Sequence, residues 1–89
     1  MVSERDVQHA VVQHARSKGW MAIKWEPPPN HGGLPDYLFF RSGNVLMIEF
    51  KAPGKKQRDR QRAVAEIFEK HGFPVHVIDD ITKGKQLVT

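Results

Sequence analysis

Apolar residues recur along this chain with two different periods, and the change of period divides it into elements. Val7, Ala10, Val11 and Ala15 follow a helical spacing. Ser3 is a suitable N-cap, Asp6 completes a capping-box-like pair, and Gly19 is placed to close the helix. This predicts a first helix over about Glu4 to Lys18. Three short runs rich in β-branched and aromatic residues follow, over Trp20–Trp25, Pro35–Phe40 and Val45–Lys51. The run Pro27, Pro28, Pro29, with Asn30, Gly32 and Gly33 after it, reads as a loop within the domain. The segment RSGN reads as a hairpin loop. After Ala52, Pro53 and Gly54, helical spacing returns over about Arg58 to Lys70, with Val64, Ile67 and Phe68 turned inward and Gly72 closing it. A strand Val75–Ile78 comes next, and Asp79 or Asp80 can cap a last short turn or helix. The order is αβββαβ. The connection from the third strand through the second helix to the fourth is long enough for a parallel crossover. The expected fold class is α/β, a small mixed sheet flanked by helices.

The hairpin carries an anomaly. Asp36 opens one of its strands, and Glu49 and Lys51 lie near the end of the other. Charged side chains are seldom buried unless paired or bound to metal. With Ser42 and Gly43 at the tip, Asp36 opposes Glu49; with Gly43 and Asn44 at the tip, it opposes Lys51. Either register keeps all three on one face, because strand side chains alternate. Leu46, Ile48 and Phe50 occupy the other face, while Val45 and Met47 make the charged face apolar too. That pattern predicts a central strand, buried on both sides, with its charges at one end. Two carboxylates converging there need a cation, and Mg²⁺ or Mn²⁺ is the hard choice for oxygen ligands. On the first helix, Glu4 shares a face with Gln8, Val11 and Ala15. On the second, Gln61 aligns with Val64 and Phe68.

Composition narrows the setting. Eighty-nine residues suit one domain, 1–89, with a thin core. There is no cysteine to supply a disulfide or thiolate site. No apolar run approaches the roughly 20 residues that span a bilayer, so no membrane association and a soluble, cytoplasmic protein are expected. The net charge is +4, and six of the fourteen basic residues lie between Lys51 and Arg62. Such a block suits a polyanion, most often nucleic acid. Lys55, Lys56, Arg58, Arg60 and Arg62 are its candidate phosphate contacts. A chain this small often gains buried surface by dimerising.

Taken together, these residues resemble the PD-(D/E)XK nuclease superfamily, and more narrowly a stand-alone VRR-NUC domain. That family is marked by a helix-borne Glu, a G-x-P-D segment, an acid-x-K strand and a Gln in the next helix. Here those elements are Glu4, GLPD (Gly33 to Asp36), IEFK (Ile48 to Lys51) and Gln61, in that order. Arg58 stands where the family often has a small N-cap such as Ser, so the second helix starts on either Arg58 or Asp59. The resemblance implies a restriction-endonuclease-like αβββαβ core and a metal-dependent DNA phosphodiesterase. It also implies a homodimer that cuts four-way (Holliday) junctions, often of phage origin. Asp36, Glu49 and the Phe50 carbonyl would hold metal, and Glu4 would bind a second ion or a metal-bound water. Lys51 would steady the attacking water and developing charge, and Gln61 would orient Lys51 or the nucleophile. A flap or nicking nuclease of the same fold is the close alternative. A DNA-binding subunit without catalysis is the more distant one. His31 reads as a solvated loop histidine, and Trp20 and Trp25 as core or dimer-packing residues.

Overall fold

The computed structural model describes residues 1–26 and 28–89. Pro27, the first of the three prolines, lies outside the described residues. Seven elements follow one another: α1 (Glu4–Ser17), β1 (Met21–Lys24), β2 (Tyr37–Arg41), β3 (Asn44–Phe50), α2 (Asp59–Lys70), β4 (Val75–Ile78) and α3 (Ile81–Leu87). The expected αβββαβ order holds, with one short helix added. Asp80 starts that helix, accepting a hydrogen bond from the Lys83 amide at 2.8 Å.

Local chemistry explains the ends of α1. The Ser3 hydroxyl accepts from the Asp6 amide, and the Asp6 carboxylate accepts from the Ser3 amide, a full capping box. Gly19 then takes a left-handed φ of +88°, which lets the chain turn back toward β1. Helix α2 is capped differently. Arg58, not Asp59, is its N-cap, and the Gln61 side-chain oxygen accepts the Arg58 amide at 2.9 Å.

The sheet order is β1-β2-β3-β4. The first two pairings are antiparallel, and β3 pairs with β4 in parallel, as the crossover requires. Ser42 and Gly43 form the hairpin tip, both with positive φ, and Phe40 lies opposite Val45. This settles the register left open by the sequence. Since Tyr37 opposes Ile48, one step further brings Asp36 opposite Glu49.

The two faces of the sheet are covered unequally. On one, α1 and α3 enclose a core of Val7, Val11, Val12, Ala15, Trp20, Phe39, Ile48, Phe50 and Val88. The indole of Trp20 donates to the Val88 carbonyl at 2.8 Å, tying the C-terminus to this core. The other face has α2, which buries no residue fully. Trp25 meets Phe68 edge-to-face there. Two expectations fail on this face. Ile67 is 58% exposed rather than inward, and Val45 is 42% exposed, so β3 is enclosed on both sides only toward its C-terminal end. One helix on a four-stranded face leaves part of that face open, and periodicity cannot reveal which side of an apolar strand lacks a cover.

Candidate active site

The enclosed end of β3 is where the acids meet. Glu49 is fully buried, at 0% exposure, and is the one charged residue in the buried set. Neither of its carboxylate oxygens has a hydrogen-bond partner. Asp36 lies just before β2. Its amide donates to the Ile48 carbonyl at 3.1 Å, and its carbonyl accepts from Trp25 at 2.9 Å, so its backbone is held from both sides. Its Oδ2 accepts the Phe50 amide at 2.7 Å, leaving the second oxygen without a hydrogen-bond partner among the described residues. Pro35, fully buried, fixes the approach to this position. Behind it, Gly33 holds φ at +89°, and a Cβ there would meet the Arg60 carbonyl and a Val64 methyl at 2.9 Å. Only glycine lets this loop lie so close to α2.

The electrostatics show a site short of positive charge. Burial pushes the Glu49 carboxyl above its ordinary value, and the negative charges of Asp36 and Glu4 push it the same way. Gln57 and Lys51 oppose that shift. Burial also raises Asp36, against the pull of the Phe50 amide, Lys51 and Lys24. Two facing carboxylates, both driven toward protonation, with the buried Glu49 oxygens lacking donors, are what a bound cation would correct. The residues therefore fit a hard divalent ion. Among the described residues, no three His, Cys, Asp or Glu side chains cluster as a metal set. Two carboxylates with water completing the shell is a common arrangement for Mg²⁺. Such an ion would lower the pKa of its water and neutralise phosphoryl charge.

The other sequence-predicted residues divide. Lys51 is half-buried and continues the β3–β4 pairing through its amide, which donates to the Ile78 carbonyl at 2.9 Å. Its charge acts on both acids. Glu4 is exposed on the first turn of α1, close enough for its charge to reach Glu49 yet outside any acid cluster. The side-chain oxygen of Gln61 is engaged at the α2 cap. Beside Glu49 stands Gln57, which the sequence reading does not select. Its side chain lies beside Glu49 without completing a hydrogen bond, and its Nε2 is buried and undonated. The only sequence hint is that Gln57 is the one uncharged residue in the run Lys55 to Arg60. Because it precedes α2, helical phase says nothing about it.

The basic block also divides. Lys55, Lys56 and Arg62 line an open cleft with Gln57, Val77 and Asp79. Arg62 also pairs loosely with Asp59 at 3.6 Å across solvent. Arg58 serves α2 through its backbone. Arg60 turns away from the cleft: its guanidinium donates to the carbonyls of Gly32 at 3.1 Å and Asn30 at 3.2 Å, pinning the glycine loop. These bonds give Arg60 a loop-anchoring role that the sequence reading does not identify. His31 is exposed in that loop, 3.3 Å from the Pro29 carbonyl, as expected for a solvated histidine.

A mixed α/β sheet with opposed carboxylates and an adjacent lysine at one strand end defines a restriction-endonuclease-like domain. Comparison with known proteins refines this. The VRR-NUC domain profile matches residues 3–79, and the chain belongs to that family, whose members are generally nucleases dependent on divalent metal. A search of curated proteins gives no match. A solved structure described as a VRR_NUC domain superposes with a TM-score of 0.86, covering 99% of this chain and 96% of its own, at 23% identity. That likeness establishes the fold.

Proposed function

We propose that the domain is a Mg²⁺- or Mn²⁺-dependent DNA endonuclease that cuts four-way junctions as a homodimer. The observation that carries the reading is the fully buried Glu49, opposite Asp36, with both carboxylate oxygens undonated. Asp36, Glu49 and the Phe50 carbonyl hold the metal, with Glu4 acting through water. Lys51, beside both acids, stabilises the charge that develops on the phosphate and holds the nucleophilic water in line. Gln61 keeps the start of α2 in place, and Gln57 lies beside Glu49. Lys55, Lys56 and Arg62 take neighbouring phosphates. Such contacts position DNA without reading sequence, which favours recognition of shape.

The open sheet face supports the dimer. Met21, Ile23 and Val45 are exposed on it, and Ile67 and Phe73 are exposed on and after α2. Exposed apolar surface of this kind marks association. Two-fold symmetry would supply the paired sites that symmetric junction cutting needs.

The test is cleavage of a labelled four-way junction beside flap, nicked, duplex and single-stranded controls, with Mg²⁺, Mn²⁺ or EDTA. Wild type should make paired symmetric cuts with either metal and none in EDTA, and Glu49→Ala should lose roughly 100-fold or more in rate, about 3 kcal/mol. Preference for flaps or nicks would redirect the substrate within the same chemistry. Metal-independent binding with no cutting of any substrate would leave a DNA-binding subunit instead.

A further inference from the structure

A second positively charged surface lies on α1, away from the basic block. A groove of roughly 390 Å³ runs along its flank and ends against Tyr37 of β2, with Arg5, Gln8, His9, Val12 and Arg16 along its wall. Arg5, His9, Val12 and Arg16 recur at intervals of four, three and four residues, so they form one stripe on the helix. At 1.5 Å per residue the stripe is about 16 Å long. Lys24 of β1 adjoins it: it is the register partner of Tyr37, and its charge reaches Asp36.

These cations have no acidic partner. The one ion pair among the described residues is Arg62 with Asp59. Arg16 gives one hydrogen bond from its guanidinium Nη2 to the Ala22 carbonyl at 3.2 Å, which holds one edge of the guanidinium and leaves further donors. A single acid, Asp6, lines the same groove, and its carboxylate is folded back onto the Ser3 amide at 2.8 Å. Core packing does not account for this arrangement, because Arg5, His9, Arg16 and Lys24 are all exposed.

The groove is also placed next to the catalytic carboxylates. Gln8 in its wall is one turn beyond Glu4, whose charge reaches Glu49. Tyr37 and Lys24 alternate to the α1 face of the sheet, whereas Asp36, Glu49 and Val77 alternate to the α2 face, so the groove and the Lys55/Lys56 cleft lie on opposite faces and flank the acids around the sheet end. The acids therefore lie between two basic surfaces carried by different elements.

We propose that the α1 flank, with Arg5, Arg16 and Lys24, is a second phosphate-backbone track, holding the DNA on the side of the scissile bond opposite the Lys55/Lys56 cleft. The proposal rests on the nuclease reading for its substrate. A strand gripped on both sides of the metal site cannot pivot about it, which positions the phosphodiester for in-line attack.

Salt dependence of DNA binding in EDTA isolates the track from catalysis. Fluorescence anisotropy of a labelled duplex gives the slope of log K against log salt, at about 0.9 per phosphate neutralised. Arg5→Ala combined with Lys24→Ala should reduce the slope magnitude by about 1 to 2. The loss should add to that of Lys55→Ala with Lys56→Ala. Gln13→Lys, which places a new cation in the same groove, should increase the slope magnitude by about 1. Unchanged slopes in both the Arg5→Ala/Lys24→Ala and Gln13→Lys proteins would overturn the track. Slopes that move as stated in a wild type that never cuts DNA would keep the track and remove the nuclease reading.

Discussion

Glu49 is the residue on which the site turns. Its position on β3 points it to the same side as Val45 and Met47, but only its end of the strand is enclosed. Burial raises its proton affinity in the folded chain above that of the unfolded chain. In the pH window above the ordinary glutamate value, the folded state therefore binds more protons than the unfolded one, and this group's contribution to stability falls as pH rises. Asp36 shifts in the same direction. Metal-free Glu49→Gln should accordingly be more stable than wild type at about pH 8, by roughly 1–3 kcal/mol, because the variant removes an uncompensated buried charge. The advantage should shrink toward about pH 5 as the wild-type acids protonate. Urea melts at the two pH values measure it, and equal stabilities at high pH would show that Glu49 is already compensated.

Legibility at this scale was uneven. The Asp36, Glu49 and Lys51 set could be read because strand alternation allows only two hairpin registers, and both keep the three on one face. Gln61 and Gln57 could not be sorted. One is drawn into a cap by a reciprocal backbone bond, and the other reaches Glu49 from a segment with no periodicity. Arg60 looked like its basic neighbours until the loop it anchors was placed beside it.

At the scale of elements, the sequence pattern carried further. Capping residues located α1, the parallel crossover followed from connection length, and β4 runs over Val75–Ile78 as expected. The burial of α2 did not follow, since an amphipathic pattern tells which side of a helix faces the sheet and not how much sheet is there to meet it. Helix α3 shows the reverse case. Its Gly84 is fully enclosed, and a Cβ there would collide with a Val11 methyl and with Ile78. The glycine sets how closely α3 lies on α1. Gly84→Ala should push the helices apart and destabilise the domain by about 1–3 kcal/mol, although alanine is the better helix former. Denaturant unfolding would show this, and a neutral or stabilising change would mean the contact relaxes freely.

For the molecule as a whole, the two sheet faces have different tasks. One holds the core under α1 and α3. The other exposes apolar side chains from β1 and β3 and is the surface from which a dimer is proposed. The acids sit at the sheet end, and Lys55, Lys56 and Arg62 line an open cleft with Val77 of β4. No helix among the described residues is long and apolar enough to cross a membrane.

All of this depends on Asp36 and Glu49 forming a metal centre, and calorimetric titration of Mn²⁺ into the metal-free protein tests it most directly. Wild type should bind with release of protons, because metal displaces them from carboxylates whose proton affinity is raised. Asp36→Ala and Glu49→Ala should each abolish saturable binding, while Gln61→Ala should keep it. Binding of equal strength in the Glu49→Ala protein would contradict the assignment, as would no saturable binding to wild type.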